Sequence, residues 1–296
     1  MNSTLSQLTI EPAMFAGLLA PRGAAAHKGT FGHVLIFAGS GGHLGAGYLA
    51  ALAALRAGCG LCTLCLPEGA FARFDARYPE VMCDPIPDGG AGFFTPEGLA
   101  AAHGLCEGKQ AMAIGPALGT AEGTGQFVNR LLLDSELPAV VDADALNVLD
   151  LDALSRRGSP SVLTPHPGEM AGLLGSSADE VQADRTGAAA KLARQTRAFV
   201  VLKGHGTVVA APDGRLATNP TGNPGMASAG MGDALTGIVA SFIAQGAGAW
   251  EASLAAVYIH GLAGDIAARE LGEASVIASD VIGRLGAAIK EIAYRI

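Results

Sequence analysis

Short apolar runs alternate with longer amphipathic segments along most of the chain. The segments suit helices, the clearest being 45–56, 125–133 and 177–196, the last of which begins with a capping box formed by Ser177 and Glu180. The alternation predicts an α/β fold in three layers, a mostly parallel central sheet with helices on both faces. The runs suit strands that are apolar on both faces, and they cover residues 33–38, 61–66, 111–114, 139–141, 162–163 and 199–202.

The last third of the chain departs from this alternation. Residues 207–211 and 216–218 flank a Pro-Asp-Gly-Arg turn and predict a hairpin, and two longer helices, 251–271 and 280–294, follow. No Pro/Ser-rich or charge-rich linker and no repeat is present. We therefore expect one domain over residues 1–296, with residues 1–21 as an N-terminal extension.

The most distinctive stretch is 219–237, in which a glycine-rich loop runs directly into an apolar helix. The backbone N–H groups of Gly230, Met231 and Gly232 would lie at the positive end of the helix dipole, which favours a bound phosphate. Asp233 follows in the first helical turn. Its carboxylate either caps the helix or interacts with the helix dipole, or it acts as a general base beside a phosphoryl group that is being transferred.

The other candidate residues follow predicted strands, because open α/β sheets bind ligands at the carboxyl ends of their strands. Gly115 opens one such loop, either as a tight turn or as a point where backbone approaches a ligand. Asp142 and Asp144 begin another, where they orient Mg²⁺ through water or cap the next helix. His166, held between two prolines, is either a structural histidine or a rigid ligand contact. Lys203 is either a cation for nucleotide phosphate or a solvated lysine in a turn.

The glycine loop 39–47 resembles a dinucleotide fingerprint only in part. It contains Gly-x-Gly, but position 44 is leucine, and Glu68 is the only acid placed to hold a ribose hydroxyl. We expect this loop to bring backbone close to a large substrate, with Ala46 at the start of the helix. A dinucleotide site of the Rossmann type is the alternative.

Composition argues against several partners. The net charge is −8 and Lys and Arg do not cluster, which disfavours nucleic acid. The most apolar windows are interrupted well before the roughly 20 residues that a membrane span needs, and no secretory signal is evident, so we expect a soluble, cytoplasmic protein. Cys59, Cys62 and Cys65 are expected in a buried strand rather than a metal or redox site, since Cys59 and Cys62 would point to opposite faces of it.

Eight blocks of sequence, spread in order from about residue 22 to residue 282, resemble the nucleotide-dependent NAD(P)H-hydrate dehydratases of the ribokinase-like superfamily. The resemblance implies a ribokinase-like fold and a hydro-lyase that repairs hydrated NADH or NADPH, acting on the S epimer at the expense of ADP or ATP. Ala229 stands where many members of the superfamily have glycine, but Gly230 and Gly232 are present. The blocks are 28–35 with the glycine loop, 47–58, 79–82, 115–119, 142–147, 163–169, 202–207 and 223–237.

The resemblance also implies roles for individual residues. Standalone microbial members of the family imply ADP as the donor, with AMP and phosphate as products. About 27 residues precede Lys28, too few for the epimerase domain often fused to this family, so we expect the dehydratase module alone and a separate NAD(P)H-hydrate epimerase. We also expect a homo-oligomer, with a tetramer as one form. Carried over by motif, the substrate contacts would be Ala46, Gly115, His166 and Asp233, and the nucleotide contacts Lys203, Gly204, His205, Gly206, Thr207 and Gly232.

A kinase-like site suits a dehydratase because hydroxide is a poor leaving group and a phosphate ester is a better one. In this hypothesis Asp233 takes the proton of the ring hydroxyl, the amides of 230–232 hold the migrating phosphoryl group, and Mg²⁺ neutralises the nucleotide. The ring nitrogen then expels phosphate. One alternative is a small-alcohol kinase of the same superfamily, which would use the same Asp233 and anion loop. The other is a non-catalytic nucleotide sensor, against which the presence of both Asp233 and Lys203 argues.

Overall fold

The computed structural model of the chain describes residues 7–71 and 79–294, so the first six residues of the predicted extension lie outside the described part. Strands that were predicted as short apolar runs appear at or within two residues of the predicted positions. The strands of the described residues are β1 (Gln7–Thr9), β2 (His33–Phe37), β3 (Leu61–Pro67), β4 (Met82–Ile86), β5 (Ala111–Ile114), β6 (Ala139–Val141), β7 (Ser161–Leu163), β8 (Phe199–Leu202), β9 (Val208–Ala210) and β10 (Leu216–Thr218).

All ten strands form one sheet, in the order β1-β10-β9-β8-β7-β6-β5-β2-β3-β4. Neighbouring strands are parallel except for the two pairs made by β9, which runs antiparallel to β8 and to β10. The mostly parallel sheet and the hairpin are therefore both confirmed.

The helices of the described residues include one predicted helix that is divided in two. Residues 177–196 form two helices because the side chain of Asp184 accepts a hydrogen bond from the N–H of Gly187 and so caps a second helix, while the capping box of Ser177 and Glu180 is confirmed at the first. The helices are α1 (Gly45–Arg56), α2 (Glu68–Phe71), α3 (Leu99–Cys106), α4 (Glu122–Asp134), α5 (Asp144–Asn147), α6 (Leu151–Ser155), α7 (Pro167–Leu174), α8 (Ala178–Ala183), α9 (Arg185–Thr196), α10 (Met231–Ala244), α11 (Ala249–Leu271) and α12 (Ala278–Ala293).

Helices cover both faces of the sheet. Alternate residues of β2 show this: Val34 and Ile36 belong to the core that contains α1, α10, α11 and α12, whereas Leu35 and Phe37 belong to the core that contains α4 and α9. On the first face α1 and α10 pack backbone to backbone, because a Cβ on Gly237 would overlap the carbonyl of Ala50. The three-layer arrangement is confirmed.

The two edges of the sheet contain the strands that the sequence did not predict. Strand β1 is three exposed residues long, and β4 contains Pro85, so neither has the pattern of a buried strand. Strand β1 pairs with β10. Ile10 and Phe15, which follow it, are 1% and 2% exposed and belong to the core that contains α1, α10, α11 and α12. The described part of the predicted extension is therefore built into the fold, and the single-domain assignment stays a prediction.

The cysteines correct one expectation. Strand β3 begins at Leu61, so Cys59 precedes it and shares a core with Cys62, while Cys65 lies on the opposite face. The prediction that Cys59 and Cys62 point to opposite faces is wrong. Burial raises the pKa of the Cys59 thiol to about 11 and that of Cys62 well above its usual value, so both thiols stay protonated.

Among the helices of the described residues, none combines the length and the apolar character that a membrane span requires.

Candidate active site

The strand order reverses between β2 and β5. The chain continues from β2 to β3 and β4 on one side, and from β5 to β6, β7 and β8 on the other. The loops that leave β2 and β5 meet at this point: the N–H of Gly39 donates to the carbonyl of Pro116 at 2.8 Å, and the hydroxyl of Ser40 donates to the carbonyl of Ala117 at 2.8 Å. Ligands of open α/β sheets bind in crevices of this kind.

The N-terminus of α10 opens at the same edge of the sheet. Its N-cap is Gly230, with φ of 87°, and a Cβ there would lie 2.5 Å from Leu49 of α1 and 3.1 Å from Ala278 of α12. Only glycine suits both the backbone angle and the space. The first bond of the helix runs from the N–H of Ala234 to the carbonyl of Gly230, so the N–H groups of 231–233 have no partner within the helix. This arrangement favours a bound anion.

Asp233 is the third residue of α10 and does not cap it. The N-cap position belongs to Gly230, and within the described residues the carboxylate of Asp233 makes no hydrogen bond, so the capping interpretation is wrong. Burial and the negative charge of Asp142 raise the pKa of Asp233 to about 6, with Asp144 and Glu169 acting in the same direction and Lys203 opposing them. A carboxylate with this pKa is mostly ionised at neutral pH and is still basic enough to take a proton.

Lys203 lies at the end of β8 and points into this cluster of carboxylates. Its Nζ donates to Oδ1 of Asp142 at 2.6 Å and lies 3.7 Å from Oε2 of Glu169. The lysine side chain is 18% exposed, so the interpretation as a solvated lysine in a turn is wrong. Burial lowers the pKa of Lys203, but the carboxylates of Asp142 and Glu169 outweigh it, so the net pKa is raised and the lysine is charged. A Cβ on Gly232 would lie 3.3 Å from this ammonium, which places the cation beside the N-terminus of α10.

Asp142 and Asp144 do not cap the helix that follows them. Asp142 is 1% exposed; its Oδ1 accepts from Lys203, and its Oδ2 accepts from the hydroxyl of Thr236 at 2.6 Å. Oδ2 of Asp144 accepts from the N–H of Gly119 at 2.8 Å and so joins the loops after β5 and β6. The capping interpretation is wrong for both residues. Ala143 between them has φ of 49° and ψ of −126°, a conformation that costs an alanine roughly 1 to 3 kcal/mol.

Gly115 is a close-packed position. Its φ is 143°, and a Cβ there would overlap the carbonyl of Asp142. The glycine therefore lets the loop after β5 rest against the backbone of the residue that binds Lys203. Ala46 is the half-buried second residue of α1, and the described contacts do not join it to Asp233.

His166 combines a structural role with an exposed imidazole. It is the N-cap of α7, where its Nδ1 accepts from the N–H groups of Gly168 and Glu169 at 3.0 and 3.1 Å. Glu169 completes a capping box by accepting from the N–H of His166 at 2.6 Å. The histidine side chain is 56% exposed and its Nε2 lies 3.5 Å from Glu169, which itself faces Lys203. Sequence reasoning gave Glu169 no role, although the His-x-x-Glu spacing is that of a capping box.

The turn 203–207 is supported by a residue that sequence reasoning missed. Arg185, at the start of α9, donates to the carbonyls of Leu202 and Lys203 at 3.0 and 3.2 Å. Within the turn the hydroxyl of Thr207 donates to the carbonyl of Gly204 at 2.9 Å. Gly204 and Gly206 have φ of 131° and 61°, and His205 is exposed. Only Lys203 of this predicted nucleotide segment has a described contact with the carboxylates around Asp233.

Known proteins similar to this chain agree in their names. A model of the NAD(P)H-hydrate dehydratase family matches residues 34–285. The bifunctional NAD(P)H-hydrate repair enzyme of Moorella thermoacetica is 46% identical over 263 residues, which cover 88% of this chain and 50% of that protein. The ADP-dependent (S)-NAD(P)H-hydrate dehydratase of Neisseria meningitidis serogroup B is 40% identical over 268 residues, covering 88% of this chain and 86% of that one.

A solved structure extends the similarity to the fold. The ADP/ATP-dependent NAD(P)H-hydrate dehydratase of Bacillus subtilis, co-crystallised with ATP and Mg²⁺, has a TM-score of 0.83 and 30% identity, covering 98% of this chain and 100% of that chain. The ribokinase-like arrangement predicted from the sequence is thus confirmed. This chain spans about half the length of the bifunctional relatives that it matches.

Proposed function

The chain belongs to the NAD(P)H-hydrate dehydratase family, and we propose that it dehydrates the S epimer of hydrated NADH or NADPH at the expense of an adenine nucleotide. The observation that carries this proposal is the position of Asp233. Its buried carboxylate, with a pKa of about 6, lies in the first turn of α10 next to helix N–H groups without helical partners. A base beside an anion site is what phosphoryl transfer from a nucleotide to a ring hydroxyl requires.

The chemistry divides into a transfer and an elimination. The ring hydroxyl oxygen attacks the terminal phosphorus of the nucleotide while its proton passes to Asp233, and the bond from phosphorus to the departing nucleotide breaks. The N–H groups of 230–232 and the ammonium of Lys203 stabilise the charge that develops on the phosphoryl oxygens. The ring nitrogen lone pair then expels phosphate, and loss of a proton from the adjacent ring carbon restores the dihydronicotinamide. The remaining predicted contacts, Ala46, Gly115 and His166 for the dinucleotide and 204–207 for the nucleotide, are part of this proposal.

ADP is the donor that we propose, with AMP and phosphate as products. The relative from Neisseria meningitidis is named ADP-dependent, and the Bacillus subtilis protein is named ADP/ATP-dependent. Both nucleotides therefore belong in the test.

Mg²⁺ fits this site when it binds together with the phosphates of the nucleotide. Both oxygens of Asp142 already accept hydrogen bonds, and the described residues contain no group of three His, Cys, Asp or Glu side chains that could hold a metal ion. Mg²⁺ usually keeps several waters and binds through one or two carboxylates together with substrate phosphates. Glu169, which faces Lys203 at 3.7 Å, would hold it together with the phosphates, and it would neutralise their charge. The contact of Asp142 with Mg²⁺ through water stays a prediction, because both of its oxygens accept hydrogen bonds from the protein.

The upstream partner would be an epimerase that converts the R hydrate into the S hydrate. Several relatives are named as bifunctional repair enzymes and are about twice as long as the matched region. We propose that an NAD(P)H-hydrate epimerase activity supplies the S epimer to this chain. The homo-oligomeric state and the cytoplasmic location stay predictions.

The test is to incubate the purified chain with hydrated NADPH and Mg²⁺, with ADP, with ATP or without nucleotide, and to follow the absorbance of the dihydronicotinamide. We expect nucleotide-dependent recovery of the S epimer alone, faster with ADP than with ATP. Faster recovery with ATP would change the donor and leave the reaction intact. No recovery with either nucleotide, together with phosphorylation of a small alcohol, would replace the dehydratase by a kinase.

A further inference from the structure

Thr236 has no role in the mechanism above, yet its hydroxyl donates to Asp142, the buried carboxylate that binds Lys203. We infer that Thr236 is a positioning residue: its hydroxyl orients the buried carboxylate of Asp142, and that carboxylate holds the ammonium of Lys203 against the N-terminus of α10. This inference rests on the proposed function, because it assigns Lys203 to the nucleotide phosphate.

The geometry leaves the Asp142 carboxylate one orientation. Oδ2 accepts from Thr236 at 2.6 Å and Oδ1 accepts from Lys203 at 2.6 Å, so each oxygen is bound by a different element of the fold. Thr236 is fully buried and Asp142 is 1% exposed. A carboxylate buried to this degree needs its remaining acceptor sites filled, and short bonds to a charged acceptor are among the stronger ones in proteins.

The orientation of the Asp142 carboxylate affects the site because it fixes the position of the Lys203 ammonium. Its Nζ is placed within 3.3 Å of the position that a Cβ on Gly232 would occupy. Among the described residues, the second carboxylate within 4 Å of the ammonium is that of Glu169, at 3.7 Å. If Asp142 loses its bond to Thr236 and turns, the ammonium keeps Glu169 as its fixed partner, and the cation is no longer held beside the helix N–H groups.

The same carboxylate also acts on Asp233. The charged groups that influence Asp233 come from several elements: Asp142 and Asp144 after β6, Glu169 on α7, and Lys203 after β8. After burial, the negative charge of Asp142 is the largest of the causes that raise the pKa of Asp233. Removing that charge favours the ionised form of Asp233 and so lowers its pKa.

The experiment compares Thr236→Val, which keeps the shape and removes the hydroxyl, with Thr236→Ser, which keeps the hydroxyl. Ser241→Ala is the matched control, because Ser241 is a buried hydroxyl on the same helix that binds the backbone of Cys59 away from the site. The dissociation constant for ADP is measured by calorimetry and the KM for ADP by the dehydration assay. We expect Thr236→Val to weaken ADP by about tenfold on both measures, Thr236→Ser to stay within about twofold of the parent, and Ser241→Ala to lower the Tm without changing either constant.

Asp142→Asn gives an independent measure. The rise of kcat with pH, set by ionisation of Asp233, should move to lower pH than in the parent. An ADP dissociation constant for Thr236→Val within about twofold of the parent, or an unmoved pH profile for Asp142→Asn, would show that the contacts only support the fold. A parent protein that binds ADP and dehydrates nothing would contradict the proposed function alone, and the calorimetry would then still decide the role of Thr236.

Discussion

The ammonium of Lys203 donates to the carboxylate of Asp142 across 2.6 Å, so the cation assigned to the nucleotide is also the counter-ion of a buried aspartate. A lysine that only met phosphate could be replaced at little cost to the folded protein. Here the replacement leaves a negative charge in the interior, for which the described part of the chain then supplies one hydrogen-bond donor, the hydroxyl of Thr236. Binding and stability are therefore coupled at this residue.

Replacement of Lys203 tests that coupling. We expect Lys203→Ala to raise the KM for nucleotide by about tenfold or more, with a smaller effect on the hydrate, and to lower the free energy of unfolding by about 3 kcal/mol. Steady-state kinetics and urea unfolding measure the two effects. Lys191→Ala, at an exposed position on α9, is the control and should change neither. A variant with unchanged stability would mean that Asp142 does not depend on this ion pair.

Gly115 should tolerate no side chain. In Gly115→Ala the new Cβ would overlap the carbonyl of Asp142, and the φ of 143° is unfavourable for alanine. We expect a loss of about 2 kcal/mol or more in stability and a fall in kcat/KM, since the backbone of Asp142 must move. Gly104→Ala on α3 is the matched change, because a Cβ there meets nothing within 4 Å. It should be neutral or slightly stabilising in the same thermal and kinetic measurements.

Asp88 is expected to support the substrate side of the site. Its buried carboxylate accepts from the N–H groups of Gly69, Gly90 and Gly92, and the carbonyl of Gly92 accepts from the N–H of Gly41 in the glycine loop 39–47. In Asp88→Asn an amide NH₂ faces N–H donors, which should cost about 2 kcal/mol or more. The KM for the hydrate should rise more than the KM for ADP. Equal changes in both would indicate that the loop does not serve the dinucleotide.

Asp233 should make the protein less stable as the pH rises. Its pKa is raised in the folded state from 3.8 to about 6, so the folded state binds this proton more tightly than the unfolded state does. The contribution to stability is fully present below about pH 3.8 and is lost as the pH rises through 6. We therefore expect Asp233→Asn to be more stable than the parent by about 3 kcal/mol at pH 8 and nearly equal to it near pH 4. Unfolding curves at the two pH values decide this, and a variant that is less stable at pH 8 would contradict it.

Local patterns predicted the elements of this fold well, because the strands buried on both faces are short apolar runs. Strand β8 begins and ends at the predicted residues, and so does α1. The side-chain contacts of the site could not be derived in the same way. Asp142 bonds Lys203 and Thr236, which lie 61 and 94 residues away, and these pairs depend on the order of strands and on rotamers rather than on spacing.

Two other supporting residues have no sequence pattern that indicates their contacts. Arg185 supports the turn 203–207 from the start of α9, where an arginine has the pattern of a surface residue. Asp88 acts through backbone N–H groups of three glycines, which leave no side-chain pattern to detect. For Asp233, the sequence predicts the position in the first helical turn. The sequence does not distinguish a helix cap from a buried carboxylate that makes no capping hydrogen bond, and the structure does.

The proposed mechanism requires Asp233 to take the proton of the ring hydroxyl, and the kcat of Asp233→Asn with the S hydrate of NADPH and ADP measures whether it does. Asparagine cannot accept that proton, so we expect kcat to fall by about 10²- to 10⁴-fold while the fold and much of the ADP affinity are kept. Asp179→Asn, an exposed aspartate in the first turn of α8, is the control and should keep the parent rate. An Asp233→Asn protein that melts no lower than the parent and still turns over at more than about a tenth of its rate would contradict the mechanism.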